Sequence, residues 1–201
     1  MFTKRFPALV LAILVFFSGG CGVVAGKFHS NIVSSKDMCS GSYIRGIIRS
    51  ASFVRLPIIY DHQKGATDIP KMGEEFALAV REGGADAAIL FSLAGPVVAE
   101  KWIMACQKEE LGVIVGGHMT HEKFLESDGG YIMDMAPFSI YTVAAEMGVT
   151  KFVVPGNKPK HVGLYRGHLL GGGVDIEKLE LFAPGFVTQG GDISETGIMA
   201  V

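Results

Sequence analysis

The sequence predicts an α/β protein whose strands run parallel. Three observations carry that expectation. From residue 44 onward, short apolar runs alternate with helix-like stretches of roughly ten to seventeen residues, the rhythm of strand–helix–strand units with right-handed crossovers. The runs are apolar throughout rather than at alternate positions, as in parallel strands covered on both faces. The chain also holds 27 glycines in 201 residues, enough for a tight turn at many strand–helix junctions.

In chain order, "YIRGIIRSASF" reads as a short amphipathic helix and "LPIIY" (56–60) as a buried strand. "KMGEEFALAVREGG" (71–84) is a helix stopped by Gly83 and Gly84, and "ADAAILF" (85–91) is the next strand. "GPVVAEKWIMACQKEEL" (95–111) repeats its apolar residues at three and four, the helical period, and "GVIVGG" (112–117) is a strand. After a loop come a helix, "APFSIYTVAAEMGV" (136–149), and a strand, "KFVVP" (151–155). A further helix, "PKHVGLYRGHLLGGG" (159–173), precedes a last strand, "KLELFAP" (178–184). Five clear strands follow residue 50, whereas an eight-stranded barrel typically takes ~250 residues and rarely fewer than ~200. The residues alone leave two architectures open: a compact barrel with irregular ends, or an open doubly wound sheet.

Composition narrows the function. The formal net charge is -2, and no stripe of Lys and Arg interleaves with aromatics, so nucleic acid is not an expected partner. Cys21, Cys39 and Cys106 are odd in number, widely spaced and form no CxxC pair, which fits reduced thiols in a cytoplasmic protein. The segment "MFTKRFPALVLAILVFFSGGCG" admits two readings. It has the layout of an export signal, with Cys21 placed for acylation, yet "ALVLAI" (8–13) also reads as a buried strand. Its apolar run is too short to cross a bilayer. Residues 1–43 are accordingly set apart as an atypical N-terminal segment, and 44–201 as the barrel-like domain.

In a parallel α/β fold, chemistry sits on the loops at the carboxyl ends of the strands. Three polar clusters fall there. The first, in "IIYDHQKGATDIP", gathers Asp61, His62, Lys64 and Asp68. A lysine between two aspartates keeps its proton and is held by both, and such an ammonium stabilises a carbanion or donates a proton. A solvated turn with an internal ion pair is the competing account. The second, "GGHMTHEKF", carries His118, Thr120 and His121; the histidines lack a convincing third ligand and are read as loop residues, with no metal expected. The third, "PGFVTQGGDIS", offers Gln189, Gly190, Gly191 and Asp192, whose backbone amides either cradle an anion or form a plain glycine turn.

Together the three clusters resemble the orotidine 5'-monophosphate decarboxylase family. "YDHQKGATDIP" is similar to the family's catalytic Asp-x-Lys-x-x-Asp-Ile-Pro segment, in a longer spelling of archaeal type. "GGHMTH" resembles the loop that brings a hydroxyl to the pyrimidine ring, and "PGFVTQGGDIS" the late loop that grips the substrate phosphate. The resemblance runs from about Ile44 to Ser194. It implies a homodimeric (β/α)8 TIM-barrel-like fold, decarboxylation of orotidylate to uridylate in pyrimidine biosynthesis, and no metal or organic cofactor. It also implies roles. Lys64 stabilises and protonates the carbanion, Asp61 sits by the departing carboxylate, and Asp68 reaches the neighbouring subunit's site. Thr120 bonds the ring, Gln189 bridges ring and phosphate, and Gly190 and Gly191, with Pro184 and Gly185 of the same loop, hold the phosphate. Lys27, in "VVAGKFH", stands near the place of the family's second-strand lysine.

Certain features depart from the family pattern. Here two residues separate Asp61 from Lys64 and three separate Lys64 from Asp68, one more in each gap than usual. On a regular strand Asp61 and Lys64 face opposite sides, so either a bulge corrects the register or His62 takes the aspartate's place. Leu14 follows "ALVLAI" where the family has a ribose-binding Asp, and the chain ends at Val201, ahead of the family's last-strand Arg. The expectation is a barrel incomplete or irregular at both ends, as a frameshifted or truncated gene would give. Two other functions stay open. One is a magnesium-requiring sister such as a hexulose-phosphate synthase or keto-gulonate-phosphate decarboxylase, which uses a similar Asp-Lys-Asp segment. The other is an exported, non-catalytic binder of a phosphate ligand.

Overall fold

The computed structural model describes residues 14–18, 20–24, 57–61 and 65–183. Two short strands, β1 (Leu14–Ser18) and β2 (Gly20–Val24), pair antiparallel as a hairpin, with Leu14 opposite Val24 and Ser18 opposite Gly20. The strand expected over 8–13 and the helix "YIRGIIRSASF" lie outside the described residues.

The rest alternates strictly. β3 (Ile59–Asp61), α1 (Met72–Glu82), β4 (Ala87–Phe91), α2 (Pro96–Lys108) and β5 (Gly112–Gly116) come first. A 3₁₀ turn over Glu126–Asp128, α3 (Ala136–Glu146), β6 (Lys151–Val153), α4 (Pro159–Gly171) and β7 (Glu180–Phe182) follow. The five strands β3 to β7 form one parallel sheet whose spatial order is their chain order. An open doubly wound sheet reverses its strand order at a switch point, and a barrel does not. The described order is the barrel's.

The helices begin within one residue of the sequence expectation and end two or three residues short of it. α2, α3 and α4 each carry a proline in the first turn, where its missing N–H costs nothing. α1 has Glu74 and Glu75 in its first turn and Arg81 in its last, matching the helix dipole. The strands are shorter than the apolar runs. "LPIIY" contributes only Ile59 and Tyr60, and Asp61 joins them. Ahead of this ladder, the Ile58 N–H donates to the Asp86 carboxylate (2.8 Å), and the Asp86 N–H donates to the Ile58 carbonyl (2.8 Å).

Two apolar layers result. Ile59, Ala87, Ile89, Phe91, Ile114, Val153 and Phe182 form a cluster made of strand residues alone, which is the inner face of the curved sheet. The other strand residues, among them Ala88, Leu90, Val115 and Phe152, pack against the helices in a larger cluster. Each buried Leu, Ile or Phe contributes on the order of 1.5–3 kcal/mol. Glycine permits two close approaches. A Cβ on Gly73 would lie 2.9 Å from the Trp102 ring, so glycine here lets α1 press onto α2. A Cβ on Gly116 would lie 2.4 Å from the Phe91 ring on the inner face. Cys106 is fully buried in α2, and burial pushes its thiol up to about 12, which disfavours the reactive thiolate.

Candidate active site

Because the strands are parallel, their carboxyl ends share one rim. Asp61 ends β3 there. It alternates with Tyr60, which packs on the helix side, and shares the inward face with Ile59. Its side chain is almost wholly buried, an uncommon place for a carboxylate outside a functional or paired setting.

The segment after β3 is tacked down at both of its described ends. The Phe91 N–H donates to the Gly65 carbonyl (2.8 Å), tying the loop to the end of β4. The Trp102 indole donates to the Ile69 carbonyl (3.1 Å), tying the loop to α2. Between them Ala66 is fully buried with a φ of 64°, the left-handed region that costs a non-glycine residue roughly 1–2 kcal/mol. Asp68 is exposed, and its carboxylate accepts a bond from the Ile69 N–H (2.6 Å). His62 and Lys64 lie outside the described residues, as do Lys27, Pro184, Gly185, Gln189, Gly190, Gly191 and Asp192. Of the anticipated site residues, the described structure therefore places Asp61, Asp68 and Thr120.

Thr120 sits in the loop after β5, half-buried, with its carbonyl accepting a bond from Asn157 Nδ2 (3.0 Å). Asn157 and Lys158 belong to the loop after β6, which sequence reading had not singled out. Lys158 Nζ lies 3.0 Å from His118 Nε2, 3.3 Å from the Met119 carbonyl and 3.2 Å from the His121 carbonyl. His118 occupies the loop position expected of it but is buried. Its Nδ1 is 2.7 Å from the Tyr165 hydroxyl on α4. An ammonium only donates, so Nε2 of His118 holds the lone pair and Nδ1–H donates to Tyr165. Phe124 stacks on the His118 ring at 5.4 Å, and His161 meets it edge-on at 4.9 Å. His121 is exposed and turns its ring to the Glu122 carbonyl. The two rings share Phe124 as a neighbour, but their hydrogen bonds go to different groups. No group of three His, Cys, Asp or Glu side chains suited to a metal occurs among the described residues.

The electrostatics follow from burial. His118 is pushed down to about 3, first by desolvation and then by the neighbouring charges of Lys158 and His161, with Asp128 opposing. Desolvation also lowers Lys158 and His161 and raises Tyr165. This gives a signed expectation. Between pH 6.5 and about 3 the unfolded chain takes up a proton at His118 and the folded chain does not, so stability falls as the pH drops through that window. At pH 5 the penalty from this one group is about 2 kcal/mol, or roughly 4–8 °C in Tm. Thermal melts at pH 7 and pH 5 should show a smaller drop for His118→Gln, which keeps one donor and one acceptor but cannot titrate. An equal drop in both proteins would remove His118 as the cause.

No protein-family model and no curated protein sequence matches the chain. Solved structures do. An orotidine 5'-monophosphate decarboxylase from Methanocaldococcus jannaschii, complexed with the inhibitor BMP, is 21% identical with a TM-score of 0.61, over 79% of this chain and 65% of that one. The Pyrococcus horikoshii orotidine 5'-phosphate decarboxylase is 27% identical with a TM-score of 0.59, over 79% and 69%. A second Methanocaldococcus jannaschii structure is 20% identical with a TM-score of 0.57, over 81% and 70%. The chain spans about two thirds of the length of these proteins. Strand order, helix placement and these likenesses agree: the chain has an α/β fold similar to that of the orotidine 5'-monophosphate decarboxylases.

Proposed function

We propose that the chain decarboxylates orotidine 5'-monophosphate to uridine 5'-monophosphate, without metal or organic cofactor, as a cytoplasmic homodimer in pyrimidine biosynthesis. The observation that carries this reading is Asp61. It is a buried carboxylate on the inner face at the carboxyl end of β3, heading the Asp-Lys-Asp segment in a barrel of the matching fold.

In this reading the substrate's carboxylate leaves as carbon dioxide and its bonding pair stays on the ring carbon. The Lys64 ammonium stabilises that pair and then supplies the proton that makes uridylate. Asp61 lies beside the departing carboxylate and orients Lys64, a use of preorganised charge that acts most where charge changes. Asp68 reaches the partner subunit's site. Thr120 bonds the ring. Gln189 bridges ring and phosphate, while Gly190 and Gly191, flanked by Pro184 and Gly185, hold the phosphate. Phosphate binding, remote from the reacting carbon, helps close the site. Lys27 is proposed as a further lysine of the site. Two buried oxygens, Ser92 Oγ after β4 and Asn157 Oδ1 after β6, have no partner among the described residues. They lie on loops at the same rim, which suits a polar ligand.

Ultraviolet-monitored turnover of orotidylate with EDTA present tests the reading. Turnover that persists in EDTA is the expected result. Activity restored only by magnesium, and better on a sugar phosphate, would transfer the chain to the sister enzymes.

A further inference from the structure

We propose that Lys158, with Asn157, is a positioning residue for Thr120, holding three consecutive carbonyls of the loop that presents the Thr120 hydroxyl to the substrate ring. The proposal rests on the nucleotide reading given above. Its geometry is independent of that reading.

The loop after β5 runs through residues 117–123 without helix or strand, so its carbonyls have no ladder to join. Three of them in a row are taken up from across the β5–β6 seam. Lys158 binds those of Met119 and His121, and Asn157 binds that of Thr120 between them. The third proton of the Lys158 ammonium goes to His118 Nε2. All three protons are thereby committed within the protein, which argues against Lys158 as a direct anion ligand. His118 is itself held by the Tyr165 hydroxyl and stacked on Phe124, so the far end of the clamp is anchored on α4 and in the core. Charged donors make the stronger hydrogen bonds, and two of them meet backbone on either side of Thr120. The backbone at Thr120 is therefore fixed from both neighbours and from its own carbonyl, while its side chain takes no part in the clamp.

A double-mutant cycle tests this on the full chain, with amide hydrogen exchange as the second readout. Lys158→Met and Thr120→Val should each lower kcat/KM for orotidylate and weaken uridine 5'-monophosphate binding by about 10- to 100-fold. Their combination should fall no more than about threefold below the worse single variant, because one acts through the other. Exchange of amides 118–124 should rise at least about tenfold in Lys158→Met and stay unchanged in Thr120→Val. Lys158→Arg, which keeps donors for the carbonyls, should recover part of the loss. If Lys158→Met does not fold, Lys158→Gln takes its place in the cycle. Additive losses would overturn the proposal, as would unchanged exchange in Lys158→Met. A wild-type chain that neither binds uridylate nor turns over orotidylate would sink the nucleotide reading and Thr120's role with it. Lost protection in Lys158→Met would then leave the clamp standing without that ligand, and so separate the two failures.

Discussion

Lys64→Ala is expected to lower orotidylate turnover by about four orders of magnitude while leaving uridylate binding within about threefold. Removing a positioned general acid costs about 10²–10⁴ in rate, and removing a charge that faces the transition state costs a further 10²–10³, the two overlapping. Lys64→Arg should not restore activity, because a guanidinium does not release a proton near neutral pH. Asp61→Asn should cost about 10²–10³ by itself. Its carboxylate is fixed on the inner face by the last residue of β3, so the amide would occupy the same place without the charge. Initial rates by ultraviolet absorbance, with calorimetric titration of uridylate to show that each variant is folded, decide the matter. A Lys64→Ala protein retaining a tenth of wild-type turnover would mean that another group delivers the proton. An Asp61→Asn protein whose residual turnover Lys64→Ala lowers as much as it does in the wild type would separate the two roles.

Gly116→Ala is expected to destabilise the fold by about 3 kcal/mol, roughly 6–12 °C in Tm, with little scope for local relief. The added Cβ would stand 2.4–2.7 Å from three atoms of the Phe91 ring. That ring lies on the inner face, in register with Gly116 itself and against Ile89 and Ile114, so it has no solvent side to swing toward. The packing argument makes a specific demand. Phe91→Leu alone should destabilise by leaving a void, and the double variant Phe91→Leu/Gly116→Ala should be more stable than the sum of the two single losses predicts. Strict additivity in thermal or urea unfolding would show that the two positions do not share space.

Much of this architecture is written in the local chemistry of the chain. Apolar runs such as "AAILF" become strands because both of their faces are covered, and proline and glycine punctuate the helices where backbone donors or left-handed conformations demand it. Boundaries were less legible. Pro57 has no N–H to give, and Ile58 spends its own on the Asp86 side chain, so the first barrel strand in the described sheet starts later than hydropathy suggests and runs on into a charged residue. Asp61, Asp68 and Thr120 were visible as polar residues at strand ends. Lys158, Asn157 and Tyr165 were not, although "PGNKPKH" also follows a strand. Their meaning comes from partners 37 to 47 residues away, a separation that no periodicity reports. The hairpin of β1 and β2 was also unforeseen, since a pair of strands joined through glycine gives the same apolar signal as a leader segment.

The shortest ladder in the parallel sheet is the one between β5 and β6, two register pairs against five between β4 and β5. Side chains reinforce it: the Tyr141 hydroxyl donates to the Val153 carbonyl (2.8 Å), and Tyr141, Tyr165 and Phe138 stack edge to face beneath it. In terms of cooperative units, this seam carries the fewest paired residues of the described sheet, between a leading half that ends with β5 and a trailing half that begins with α3. The proposed ring-binding loop hangs from the first half and is gripped by the second. Whatever occupies that rim and touches both halves therefore acts as a stitch, and each increment of its affinity is also an increment of resistance to partial opening.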